Sequence, residues 1–169
     1  MMNVNHTCSI YQHKLQLEYA IAEFFDPKNT GKQKCVCVTS QPLELNNKDV
    51  QILSANEVYL KDGKFDIEAT IQNFVQLIKQ ALKDGYTGLR ASGDATWAID
   101  ENIDLDRLVE YETKAHKAIT ENPVAAICHY NEKKFKPEFL KKILISHPQI
   151  YIYGQRYDNK FFGTDVSKY

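Results

Sequence analysis

The sequence is short of several features, and each shortage closes off a class of function. Within its 169 residues no apolar run approaches the roughly 20 residues of a membrane-spanning helix. The opening MMNVNHTCSI has neither the basic start nor the apolar centre of a secretory leader, so a cytoplasmic location is expected. The four cysteines, Cys8, Cys35, Cys37 and Cys128, form no C-x-x-C pair, and three of them lie in apolar runs. Reduced thiols in a core fit this better than a disulfide frame or a zinc site. There is no G-x-G-x-x-G, no G-x-S-x-G, no H-E-x-x-H and no H-x-E. The one faint phosphate loop, NTGK at 29–32, lacks the first glycine, has no Ser or Thr after Lys32, and runs into a strand instead of a helix. Spacing therefore predicts no metal site and no cofactor. The net charge of −1, with lysines scattered among acids, argues against nucleic-acid and membrane partners.

What is present reads as an ordinary globular chain, 43% apolar and 25% charged, and as one domain over 1–169. Strand-like runs alternate with helical ones. Strands are expected at 6–12, 34–40, 57–60, 86–92, 124–130 and 149–154, with a closing hairpin arm or loose tail over 156–162. Helices are expected at 14–25, about 46–54, from an Asp66 cap to Gly85, over 105–120, and over 136–146 with Pro137 in the first turn. Such alternation implies right-handed βαβ units, a mostly parallel sheet and a three-layer α/β fold.

In that fold class ligands sit beyond the carboxyl ends of the strands. This singles out RASGDATWAID, 90–100, which carries an Arg, a Gly-Asp pair and the only Trp. Arg90 and Asp94 are predicted to lie near a strand end, with Gly93 opening a turn. Asp94 could accept a hydrogen bond from a ligand or cap the next turn. Trp97 offers a flat apolar wall with one N–H donor. Cys128 and His129 point to opposite faces of their strand and cannot act as nucleophile and base together; Cys128 would need His6 or His147 from elsewhere. Structural roles are the default for His6 and His147.

Six segments together resemble a known family: HTCSIYQ, VYLKDGKFD, ALKDGYTGLRASGDATW, LVEYETKAH, PVAAICHYNEKKF and SHP. In order and content they look like the MEDS domain, the sensory domain of methanogen and methylotroph regulators, over 6–148. The resemblance implies a RecA-like or KaiC-like domain without a working phosphate loop. It also implies a sensing role toward small hydrocarbon derivatives and related signals, and the chain is read as having no catalytic activity of its own. The family's positions fall on His6, Tyr11, Tyr59, Gly63, Phe65, Arg90, Gly93, Trp97, Tyr111, Glu112, Cys128, Tyr130 and His147. Asp94 stands where the family usually has Glu, His129 where Gln is common, and Asn131 where Asp is common. The segment 26–34 lacks the family's Gly-Leu-x-x-Gly run.

The resulting expectation is a ligand-sensing domain acting through a signalling protein such as a kinase or a transcription regulator, and compatible with a homodimer. Tyr11, Arg90, Asp94, Trp97 and Tyr130 would bind the ligand. His6, Glu112, Cys128 and His147 would support them, and 93–103 would move. The alternative is a degenerate RecA-like nucleotide-binding regulatory domain.

Overall fold

A computed structural model describes residues 6–164. Six parallel strands and one antiparallel edge strand form a sheet in the order β3-β2-β6-β7-β1-β8-β9. These are β1 (His6–Tyr11), β2 (Lys34–Thr39), β3 (Val50–Ser54), β6 (Leu89–Asp94), β7 (Val124–Asn131), β8 (Gln149–Ile152) and the reversed β9 (Gln155–Asp158). A two-stranded hairpin, β4 (Leu60–Lys61) with β5 (Lys64–Phe65), stands apart. The helices are α1 (Lys14–Phe24), α2 (Pro27–Thr30), α3 (Ala55–Tyr59), α4 (Ile67–Lys83), α5 (Trp97–Asp100), α6 (Leu105–Thr120) and α7 (Pro137–Leu144). Helices cover both faces, so the fold is three-layer α/β, as the alternation of elements predicts.

The central strands are buried on both sides, and alternate residues feed two separate cores. Cys8, Val36, Val38, Leu89, Ala126 and Tyr130 meet Ile67, Ile78, Leu108, Ile119, Phe139 and Ile143 of α4, α6 and α7. Tyr11, Cys35, Cys37, Ile127 and Tyr151 meet Leu17, Ala20, Ile21 and Phe24 of α1 on the other face. The long helices begin as their sequences indicate: Asp66 accepts from the Ala69 amide and Asp104 from the Asp106 amide. Among the described residues no helix is long and apolar enough to cross a membrane.

Three elements differ from expectation. The segment expected as a helix over about 46–54 is instead the edge strand β3, paired with β2 from Cys35↔Val50 to Thr39↔Ser54. Val50, Ile52 and Leu53 suit an extended edge, and the buried β2 supplies the ladder that a local reading cannot weigh. The strand expected at 57–60 is mostly α3, and only Leu60 enters the β4–β5 hairpin. Asp62 and Gly63, at φ 51° and 72°, make its turn. The strand expected at 86–92 begins later and ends later, so Gly93 and Asp94 lie inside β6 and Gly93 opens no turn.

Candidate functional site

At the carboxyl end of β6, Asp94 is the centre of a closed hydrogen-bond knot. Tyr11 Oη donates to its Oδ1 at 2.9 Å, and Gln41 Nε2 donates to its Oδ2 at 2.7 Å. Thr96 Oγ1 donates to Oδ2 at 2.5 Å, and Gln41 Nε2 also reaches Tyr11 Oη and Thr96 Oγ1 at 3.2 and 3.1 Å. Tyr11, Asp94 and Thr96 are buried. Burial pushes the Asp94 carboxyl up from its ordinary value, and the donors from Thr96, Tyr11 and Gln41 pull against it. All its strong acceptor positions face protein donors, which makes the knot a strut between β1, β6 and the loop after β2. The sequence marks Asp94 and Tyr11, whereas Gln41 and Thr96 carry no motif that would mark them.

The other residues expected around Asp94 lie elsewhere. Arg90 shares its face of β6 but sits four residues back, toward the start of the strand. Its Nε donates to the Phe24 carbonyl at 2.6 Å, its Nη1 to Gln33 Oε1 at 3.2 Å, and its guanidinium lies 4.2 Å over the Phe24 ring. It fastens α1 to the sheet and pairs with neither Asp94 nor Glu112. Trp97 is buried with the α4–α6 core and stacks on Tyr59, ring centroids 4.5 Å apart. Tyr130 turns to that same core and donates to Glu112 Oε1 at 2.7 Å. The five expected ligand-binding residues therefore divide between two faces of the sheet and form no common pocket.

A cavity of about 250 Å³ does exist, on the face that carries Trp97. It lies between the sheet and α3, α4 and α6, lined by Val36, Val38, Ala91, Gly93, Val58, Tyr59, Phe74, Leu77, Tyr111, Ala115, Ile119 and Cys128. The lining is mostly apolar. In the sequence these positions are indistinguishable from core, because helical and strand periodicity mark a buried face without saying whether it is filled. Gly93 matters here by its lack of a side chain: a Cβ at this position would stand 3.0 Å from Tyr59 Oη.

Beside the cavity the fold gathers a second group of polar side chains. His6 opens β1, Cys128 is on the neighbouring β7, Glu112 is on α6, and His147 lies just past α7. Their donor atoms all lie within 4.8 Å of one another. His6 Nε2 is 3.5 Å from Glu112 Oε2 and 3.5 Å from Cys128 Sγ, and His147 Nε2 is 3.4 Å from the same Glu112 oxygen. His116 stacks near His6, with Nδ1 atoms 3.3 Å apart. Burial lowers His6 and His147 to about 3, and the neighbouring histidines add to this. Burial, with the Glu112 charge, pushes the Cys128 thiol well up. Sequence spacing shows no metal-binding pattern because the four positions come from four elements. The four are the supporting set named from sequence, and the fold brings all of them together. His129 turns to the opposite face, as strand alternation requires, and meets Ser92 Oγ at 2.9 Å.

A family whose description reads "MEthanogen/methylotroph, DcmR Sensory domain" (MEDS) matches the chain over residues 5–148. No curated protein matches it significantly.

Proposed function

The chain belongs to the MEDS family of sensory domains, and from that premise we propose that it senses a small, largely apolar organic molecule in the cavity beside Tyr59 and Cys128. The observation that carries this is the cavity itself. A well-packed interior leaves few voids larger than a water molecule, and a dry cavity of about 150 Å³ lined by aliphatic and aromatic side chains takes up benzene. A volume of about 250 Å³ suits a hydrocarbon derivative of a few carbons. The Tyr59 and Tyr111 hydroxyls and the Cys128 thiol are polar groups of the lining that would orient its functional group.

In this reading the chain binds and reports, with no turnover of its own. A ligand signals only by favouring one of two conformations. Tyr59 touches both the cavity and Trp97, so the segment 97–103 is the part that responds, and a kinase or a transcription regulator reads the change. The nucleotide-binding alternative has no observation in its favour. Gln12 and His13 join β1 directly to α1, and no glycine-rich loop is there to wrap a phosphate.

The test is a titration of the full chain with one- to six-carbon alcohols, halides and hydrocarbons, followed by Trp97 emission and by melting temperature. At least one compound should change the emission and raise the melting temperature. Ala115→Leu, which fills the cavity from α6, should remove both responses while keeping the fold. A response that survives Ala115→Leu, or no response across the panel, overturns the reading.

A further inference from the structure

We propose that His6, Glu112, Cys128 and His147 form a binding site for one divalent transition-metal ion of the zinc class.

The first argument is geometric. Zinc bonds of about 2.0–2.3 Å to nitrogen, oxygen and sulfur make a tetrahedron whose edges are about 3.3–3.7 Å. Three of the distances among the four donor atoms already have that length: 3.5 Å for His6 to Glu112, 3.4 Å for His147 to Glu112, and 3.5 Å for Cys128 to His6. The others do not exceed 4.8 Å. The ligands converge on one point from two adjacent strands, a helix and a helix end, all rigid elements.

The second argument is the orientation of the rings. His6 Nδ1 is 3.1 Å from the Ser146 carbonyl, and His147 Nδ1 is 2.9 Å from the Ile143 carbonyl. A carbonyl can only accept, so each Nδ1 carries the proton, and in the neutral imidazole each Nε2 turns a lone pair into the cluster. This is the outer arrangement that metal-bound histidines use. Tyr130 does the same for the carboxylate: it donates to Oε1 and leaves Oε2 for the centre.

The third argument is the debt the cluster carries without an ion. Glu112 Oε2 and His147 Nε2 are buried with no hydrogen-bond partner, although a buried acceptor left unpaired is destabilising. Their residues are 3% and 0% exposed, so neither atom faces bulk solvent. Lone pairs from nitrogen and carboxylate face each other across 3.4 Å. A cation at the common point relieves this at once. When it enters, the Cys128 thiol releases its proton to solvent. One thiolate and one carboxylate then balance the two positive charges, which leaves a neutral site in a buried place. Two imidazoles with a thiolate favour a zinc-class ion over magnesium or calcium, which prefer all-oxygen sets.

The site adjoins the cavity proposed for the ligand and shares Cys128 with it, and the two are tested by different signals. The full chain, freed of metal with a chelator, is titrated with zinc in a competition assay and with cobalt(II) by absorption. We expect one equivalent to bind, a sulfur-to-cobalt charge-transfer band to appear, and zinc to raise the melting temperature. Cys128→Ser should abolish the charge-transfer band. Glu112→Gln and His147→Gln should each weaken binding at least tenfold. Cys35→Ser, on the opposite face of the sheet, should change neither. Glu112→Gln keeps the size and the Tyr130 partner, which guards against a result that is only unfolding. Absence of stoichiometric binding to the folded wild-type chain, or a charge-transfer band that persists in Cys128→Ser, overturns the proposal.

Discussion

Tyr59 lies flat on Trp97, with ring centroids 4.5 Å apart and planes 8° from parallel, and its hydroxyl points at the bare Cα of Gly93. One aromatic ring therefore connects the central strand, the cavity and the only tryptophan. Gly93→Ala places a methyl group 3.0 Å from that hydroxyl and forces the ring to give way. The cost expected for such overpacking is about 1–3 kcal/mol. Trp97 emission should shift in the folded variant, because its stacking partner has moved. Urea unfolding with fluorescence detection measures both, and unchanged stability together with unchanged emission counts against the contact.

Asp94 carries a short carboxylate, and its surroundings are built to that length. Tyr11, Gln41 and Thr96 already contact both of its oxygens at 2.5–2.9 Å. Asp94→Glu adds a methylene inside this closed knot and should destabilise the chain by about 1–3 kcal/mol. Asp94→Asn should cost a similar amount, because an amide donor would face donors. Chemical denaturation decides it; a variant as stable as the wild type would mean the knot can open.

Arg90 holds α1 to the sheet and lines no part of the cavity. Arg90→Lys loses the planar fork and the stacking on Phe24, and should lower stability by about 1–2 kcal/mol. The response of Trp97 to any cavity ligand should stay as in the wild type. A changed ligand response with unchanged stability would reverse this assignment.

His129 predicts an acid sensitivity. Burial lowers it to about 3, whereas the unfolded chain takes up the proton near 6.5. Above pH 6.5 neither state is protonated, and the group makes no difference. As pH falls from 6.5 toward 3 only the unfolded state gains a proton, so stability falls by up to about 1.4 kcal/mol per pH unit. His129→Gln, which can keep the Ser92 contact, should reduce the proton uptake on unfolding by about one in that window. Asp94, with its raised value, works in the opposite direction just above its ordinary range, so the comparison is between variant and wild type at each pH. Equal slopes would show that His129 is protonated, or reached by water, in the folded chain.

The alternation of strands and helices was legible because period-2 and period-3.6 runs are local. Asp66 and Asp104 also announced their helices, since a cap acts within three residues. The stretch 46–60 departs from its local signal for the opposite reason. Whether VQILS extends as β3 depends on β2 lying beside it, and no signal within those five residues states that. The same limit applied to the site. Arg90, Asp94 and Trp97 are neighbours in sequence, and proximity along the chain suggested one pocket. Strand pleating sends Arg90 and Asp94 to one face, and the turn after β6 carries Trp97 to the other core.

By itself the sequence determined the three-layer α/β class, the family, and which residues carry unusual chemistry, because these follow from local periodicity and from motifs in register. Tertiary structure alone decided which of those residues meet. His6 and Cys128 are 122 positions apart and touch only because β1 inserts beside β7. Glu112 and His147 join them only because α6 and α7 pack over that pair of strands. The cavity is likewise a property of packing. Its lining residues are ordinary core types, and the space among them exists because Gly93, Ala91 and Ala115 are too small to fill it.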